Sequence, residues 1–496
     1  MMTGYARPGA LLLPLLLLLL LLATPALRAQ AVPRPPASDT VPLSLDEALT
    51  RAGSQGEEVR IARAQVEVAR SQVASARSAV YPAIDGSLAY TRTYATPYSL
   101  SMGPLPDSLK FNPDPNASIA DRVRYLEQHA ATAGLGGFAA LFGNLPFGRT
   151  NQYVASVTGT QTLYSGKVGV ALRIANEYAA ASRLNFREQL AETDYQVRSA
   201  YYRALLAQEL FSSAEAAVQQ AQRFLADERV RFQAGAGSEL DVLRAEVAVE
   251  NLRPQLVDAE NAASIATLDL KRLVNVPLER PVRLTTPLEA PMALAAEVVD
   301  PRSVASQRPS VLAEERMVNI SAQQVAFAKS AFVPTVDLKM NYGRLAYPVQ
   351  TFGLNGRDWL TDWNAVVTLK MPIFTGFRRG ADVTLAKLAL EQEQLRLAQL
   401  HEQVQLQYQQ AIGQRDRAAA SITARQRTVD QAQRVYDLTL LRHDQGLASQ
   451  LEVADARLAL LQARANRAQA IADYHVSDAL VRRALGASSA ALSLSR

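Results

Sequence analysis

The sequence predicts a mostly α-helical chain that also contributes a β-barrel part, built from a duplicated helix–strand–strand–long helix–helix unit. Three observations carry that expectation. The chain repeats itself. Gln72-Val73-Ala74 with Ser78-Ala79, Pro82 and Asp85 returns as Gln324-Val325-Ala326 with Ser330-Ala331, Pro334 and Asp337, and Gln220-Ala221-Gln222-Arg223 with Gly235 returns as Gln431-Ala432-Gln433-Arg434 with Gly446. Each copy holds two stretches in which apolar and polar residues alternate with period two. Each copy also holds a proline-free helical segment that, at 1.5 Å per residue, reaches roughly 100 Å if unbroken, more than a globular core can use.

Residues 1–31 read as a secretory signal. Arg7 gives a basic start, Leu11 to Leu22 is apolar apart from Pro14, and Ala29-Gln30-Ala31 is a small-x-small cleavage site. The apolar run is shorter than the roughly 20 residues a spanning helix needs. The chain has no cysteine, which excludes disulfides, thiolate metal sites, cysteine nucleophiles and a lipid on an N-terminal Cys. No later segment is apolar enough for a transmembrane helix, so a membrane location requires a β-barrel. The net charge of +5 is small for this length. Basic and acidic residues are interleaved along the helices, the pattern of solvated faces rather than of a nucleic-acid footprint.

The elements follow in order. Residues 32–42 are Pro-rich and extended. The first repeat, 43–274, opens on a capping box, Ser44-Leu45-Asp46-Glu47, and its helix runs to about Tyr81, where Pro82 stops it. A strand follows over 83–94, with Ile84, Gly86, Leu88, Tyr90 and Tyr94 on one face and Asp85, Ser87, Ala89, Thr91 and Thr93 on the other. The insert 95–150 reads as a variable surface loop with a helix around 118–131. A second strand occupies 151–164. The long helix 167–233 ends at Gly235, and Ser238 caps a returning helix, 238–274, kinked at Pro254. Residues 275–300 are a Pro-rich linker. The second repeat, 301–486, has a helix, strands over 335–346 and 362–374, the long helix 378–444, a turn from Gly446 to Ser449, and a helix over 449–485. Residues 487–496 form a tail.

The strand faces are amphipathic in the sense of a membrane barrel, and each strand approaches the ~9–11 tilted residues that span a bilayer. Tyr90, Tyr94, Tyr153, Tyr342 and Trp363 fall near strand ends, where an aromatic girdle belongs. Arg92, Gln161 and Arg344 fall on the apolar face and should lie near its edges. Four strands cannot close a barrel, because the smallest bacterial ones use about eight. An open sheet in lipid leaves costly unpaired edges. Several copies must therefore pool strands: three give twelve, and the long helices continue the wall as a tube.

At these positions the chain resembles the TolC-type outer membrane efflux protein family. Ser44-Leu45-Asp46-Glu47-Ala48-Leu49 is similar to the family's opening, Ser78-Ala79-Val80-Tyr81-Pro82 and its copy to its helix-to-strand junction, and Pro372-Ile373-Phe374-Thr375-Gly376 to its strand-to-helix junction. Arg308-Pro309-Ser310 resembles an Arg-Pro-Asp motif that opens the second half. The resemblance implies a homotrimer: a twelve-stranded outer membrane β-barrel, with the 95–150 insert extracellular, continued by a long periplasmic α-helical barrel. It implies as partners a periplasmic adaptor protein, an inner membrane pump of RND, ABC or MFS type, and outer membrane lipid. The helix turns at Gly235 and Ser238 and at Gly446 and Ser449 would face the adaptor at the periplasmic entrance. Glu452 and Asp455 stand where the family places an acidic ring, and such a ring attracts cations and repels itself. Asp241 matches a residue that latches the entrance shut. Ala448 stands where the family's latch has Arg and His443 where it has Tyr, so the latch departs from the family's; His443 offers pH sensitivity in its place.

Two rival readings fit the residues less well. For an enzyme, the sequence lacks a Walker loop, a dinucleotide fingerprint, HExxH and Gly-x-Ser-x-Gly, and its four histidines, His129, His401, His443 and His475, are scattered. No catalytic, cofactor or metal site is expected. A periplasmic coiled-coil adaptor or scaffold without a pore would explain the helices but not the register-matched strand pairs. Drugs, metals, proteins and polysaccharides all stay open as cargo, although sparse Met and His argue against a duct dedicated to copper or silver.

Overall fold

The computed structural model describes residues 40–95, 114–130, 150–291, 299–348, 350–351, 359–445 and 447–487. The expected signal 1–31, most of the 95–150 insert, the tail beyond 487 and Gly446 lie outside the described residues.

The first repeat comprises β1 (Val41–Leu43), α1 (Leu45–Gln55), α2 (Glu57–Ser78), β2 (Ala83–Arg92), the helical stretch 119–130 (α3), β3 (Asn151–Tyr164), α4 (Gly166–Gln233) and α5 (Glu239–Leu273). Next come β4 (Val282–Leu284), α6 (Pro301–Gln307), α7 (Pro309–Lys329), β5 (Thr335–Ala346), β6 (Trp359–Lys370), α8 (Arg378–Asp444) and α9 (Gln450–Ala484). At 68 and 67 residues, α4 and α8 each extend about 100 Å. Helix α5 returns along α4, α9 along α8, and α9 also packs on α4, so the two hairpins form one body.

Three features differ from the sequence reading. The helix from Ser44 toward Tyr81 is broken at Gly56, whose backbone turns to φ −56°, ψ 135°. Its counterpart in the second repeat is broken at the equivalent place, Arg308, at φ −66°, ψ 132°. Second, the lead-in and the linker are not featureless. Val41–Leu43 and Val282–Leu284 pair as a parallel two-stranded sheet. That sheet seats the largest core cluster, in which Leu43, Leu45, Tyr201, Leu270 and Val274 are buried. Each such side chain contributes about 1.5–3 kcal/mol through burial. The Tyr201 hydroxyl donates to the Leu43 carbonyl (2.8 Å) and accepts from the Thr286 N–H (3.1 Å), tying α4 to β1 and to the segment just after β4. Third, β6 ends at Lys370, before Pro372, so Met371 and Ile373 project from the loop that leads to α8. Helix α5 runs through Pro254 without interruption.

The main sheet has the order β2-β3-β5-β6, antiparallel throughout. Its register aligns Ile84, Gly159, Met340 and Ala365 in one row, and Gly86, Val157, Tyr342 and Trp363 in the next row of the same face. That apolar face is open: Leu88 and Trp363 are each 78% exposed. Among the described residues no helix is long and apolar enough to cross a membrane.

Candidate functional site

Two parts of the molecule carry chemistry: the polar face of the sheet and the tips of the helical hairpins. On the sheet, period-two alternation places Asp85, Thr158, Asn341 and Asn364 in one row, and Ser87, Ser156, Gly343 and Asp362 in another. These side chains bond across strands. Ser87 Oγ meets Ser156 Oγ (2.8 Å), Thr158 Oγ1 donates to Asn341 Oδ1 (3.1 Å), Thr162 Oγ1 to Asp337 Oδ1 (2.9 Å), and Asn341 Nδ2 to Asp362 Oδ2 (3.3 Å). With Lys339 and Lys370 on the same face, this surface suits water, while the opposite face suits hydrocarbon.

The aromatic residues lie at two levels. Tyr90 pairs with Tyr153 at the rim, their rings 4.8 Å apart, and Trp359 falls in the same row. The Tyr90 hydroxyl donates to Asn151 (2.9 Å), and the Tyr153 hydroxyl to the Thr351 carbonyl. Tyr94 is exposed beyond the strand, with the Arg92 guanidinium 5.6 Å from its ring. Tyr342 and Trp363 sit four residues further in, about 13 Å along the strands, rather than at strand ends. Gln161, at the opposite end, donates to the Val80 carbonyl (2.8 Å) where β2 begins.

At the hairpin tips the two repeats share a backbone. After α4 the Ala236 N–H returns to the Arg231 carbonyl (2.9 Å), with Gly235 at φ +69°; after α8 the Leu447 N–H returns to the Arg442 carbonyl (2.8 Å). Ser238 accepts from the Leu240 N–H (3.1 Å) and Ser449 from the Glu452 N–H (3.3 Å), each capping its returning helix. Only the second tip completes a capping box, in which Glu452 Oε2 accepts from the Ser449 N–H (3.1 Å).

Within one protomer the acidic residues have separate local roles. Asp241, at the position equivalent to Glu452, lies 3.8 Å from Arg244 one turn on. Arg244 in turn is equivalent to Asp455, which is exposed. At these two equivalent positions the first tip carries an acid and a base and the second carries two acids, while Glu239 adds a further acid to the first turn of α5. His443 is half-buried in the last turn of α8. Sequence reasoning missed Glu228. It is only 3% exposed, accepts from Gln450 Nε2 at the start of α9, and lies 3.7 Å from Arg231, so it joins the first hairpin to the second. It also missed Arg457 on α9, whose Nη2 is buried without a partner and whose pKa is pushed down by burial, partly opposed by nearby Tyr436. Neither residue breaks the charged-face pattern of its helix. Among the described residues no cluster of three His, Asp or Glu is placed to hold a metal ion.

A family model described as "Outer membrane efflux protein" matches residues 48–276 and 301–487. The chain is 26% identical over 259 residues to protein CyaE of Bordetella pertussis, covering 51% of this chain and 53% of that protein. It is 24% identical over 332 residues to the alkaline protease secretion protein AprF of Pseudomonas aeruginosa, covering 65% and 67%. The aligned segments thus span about half to two thirds of these relatives' own length. The crystal structure of the Campylobacter jejuni CmeC outer membrane channel superimposes with a TM-score of 0.68 at 17% identity, covering 91% of this chain and 88% of that one, which establishes a shared fold.

Proposed function

Because the chain belongs to the outer membrane efflux protein family, we propose that three copies pool their four-stranded sheets into a twelve-stranded barrel that passively conducts cargo across the outer membrane. The observation that carries this reading is the sheet itself. It ends on β2 and β6, neither of which has a second strand partner among the described residues, and its apolar face leaves Ile84, Leu88, Tyr342 and Trp363 exposed. In hydrocarbon each unpaired backbone group costs several kcal/mol. Joining β6 of one copy to β2 of the next removes every edge, turns Leu88 and Trp363 to lipid, and leaves the Asp85–Asn364 row lining water.

The long helices then continue the conduit into the periplasm. There the tips at Gly235–Ser238 and 446–449 meet a periplasmic adaptor and an inner membrane pump of RND, ABC or MFS type. Glu452 and Asp455 from three copies form an acidic ring, and the tips act as a helical iris, with Asp241, Glu228 and His443 among the residues that set its closed position. A coiled-coil scaffold without a pore has no use for the two-faced sheet.

The absence of native cysteine makes a direct test simple. Cysteines placed on β2 and β6, as Ser87→Cys and Asn364→Cys, should give crosslinked dimers and trimers on oxidation, and the purified protein should show stepwise conductance in a planar bilayer. A chain that extracts without detergent as a monomer and never conducts would end the channel reading.

A further inference from the structure

The second repeat carries one more residue than the first between its second strand and its hairpin turn (Trp363 to Gly446 against Tyr153 to Gly235). The extra length falls at the junction of β6 and α8, where Gly376 (φ +61°) is followed by Phe377 in the left-handed region (φ +63°). That conformation is costly for a residue with a side chain. The strain holds an aromatic ring outward, 85% exposed, edge-on to Phe374 with the ring centres 5.6 Å apart. The first junction, Ser165-Gly166-Lys167, enters its helix with no such residue.

Beside these rings lies a shallow cleft of about 520 Å³, lined by Phe332, Phe374, Phe377 and Arg379. Arg379 is half-buried and already fixed. Its Nε donates to Thr375 Oγ1 (3.0 Å), Nη2 donates to the Ile373 carbonyl (3.2 Å), and the guanidinium lies 4.8 Å from the centre of the Phe332 ring. A guanidinium has five N–H groups, so these bonds leave donors to spare. At the start of α4 Lys167 stands 5.6 Å from the ring of Phe327, and Arg378, next to Arg379 in the chain, is 82% exposed, with Asp382 at 3.8 Å. On the sheet side the cleft runs into exposed Met371 and Ile373, which continue the apolar face of β6.

We propose that this junction is a binding site for an anionic phospholipid of the periplasmic leaflet. Arg379 takes the phosphate, with Arg378 and Lys167 adding positive potential, and Phe374 and Phe377 take the first acyl carbons. The level is right for such a ligand, because the cleft lies where apolar strands give way to charged helices. Aromatic rings and guanidinium groups are the side chains suited to that boundary. The proposal rests on the sheet lying in the outer membrane.

Native mass spectrometry of the full-length protein in detergent tests it, with phosphatidylglycerol and phosphatidylcholine offered together. The wild type should retain phosphatidylglycerol in preference. Arg379→Gln should weaken that retention roughly tenfold or more, the loss of one charge-assisted phosphate contact. Phe377→Gly separates binding from structure. It should lower lipid retention while thermal stability holds or rises, because glycine relieves the left-handed strain. Equal retention of both lipids, unchanged retention in the variants, displacement of the lipid by millimolar inorganic phosphate, or a Phe377→Gly variant that loses stability together with lipid would each overturn the site. A crosslinked, conducting trimer with no lipid preference would remove this inference and leave the channel standing.

Discussion

Gly56 and Arg308 occupy the same place in the two repeats, and each breaks a helix at nearly the same backbone angles by opposite means. Both N–H groups close on the residue four before them, Ala52 at 3.0 Å and Val304 at 3.1 Å, and both are followed by a fully buried valine, Val59 or Val311. The first break depends on a missing side chain: a Cβ on Gly56 would lie 2.4 Å from the Ala52 carbonyl oxygen. The second depends on a large one. The Arg308 guanidinium is buried and donates to Glu188 Oε1 on α4 (2.7 and 3.1 Å) and to Gln407 on α8 (2.8 Å), while Glu188 Oε2 accepts from the Ser310 N–H (3.2 Å). Duplication has kept the path of the chain and let each half find its own chemistry for it. In the second half that chemistry also pins α7 to both long helices.

The sharpest way to break this comparison is to remove each device in turn. Arg308→Ala leaves Glu188 without its partner in a largely dry site and should cost about 3–5 kcal/mol in chemical unfolding of the helical signal. Gly56→Ala forces a local shift of the kind that costs about 1–3 kcal/mol. If Arg308→Ala costs no more than the ~1 kcal/mol of a surface pair, Arg308 is ornament on a break that the backbone makes unaided.

The repeats also explain what could be read without coordinates. Strand faces and long helices were legible because period two and unbroken helical composition are local signals, present twice. The break at Gly56 was not, since one glycine in a helical pattern is tolerated; its cause is a contact with Ala52 that only the folded turn creates. The pairing of β1 with β4 was hidden because three residues carry no period, and their partners lie on opposite sides of the whole first repeat. Glu228 was hidden for a similar reason. A glutamate on a charged helix reads as solvated, and the group that buries it, Gln450, is 222 residues away. The side-chain chemistry of the hairpin tips was therefore less legible than the strands, because it depends on contacts between repeats.

A smaller effect should appear where α9 meets α4 and one repeat's histidine closes the other's core. His475 of α9 stacks on Tyr202 of α4, with ring centres 4.1 Å apart and planes within 2°, and its Nε2–H donates to the Glu289 carbonyl (2.9 Å). Burial pushes its pKa below the ordinary value, partly offset by that backbone bond and by Asp478, while Arg198 adds to the depression. A base whose folded pKa is depressed binds its proton more readily when unfolded. Its contribution is therefore complete above the ordinary histidine value of about 6.5 and is lost as pH falls below it toward the folded value. Acidification from pH 7.5 to 5.5 should lower the unfolding temperature of the wild type more than that of His475→Gln. Parallel pH profiles would mean the ring is already solvated.

The smallest structural effect, and the most informative about conduction, belongs to the hairpin tips. At the two equivalent positions the first tip has Asp241 with Arg244 beside it, and the second has two acids, Glu452 and Asp455. Glu452 also fills the capping box with Ser449, so an alanine there would confuse two roles. Glutamine serves the same capping geometry without the charge. Glu452→Gln should therefore change stability by less than ~0.5 kcal/mol. In bilayer recordings the same variant, with Asp455→Asn as its uncapped counterpart, should shift the reversal potential toward weaker cation preference under a salt gradient. Arg244→Asp should shift it the other way by making the first tip resemble the second. If neutralising both acids leaves the reversal potential where it was, Glu452 is a helix cap and Asp455 a solvated carboxylate, and selectivity must be sought instead along the Asp85–Asp362 face of the barrel.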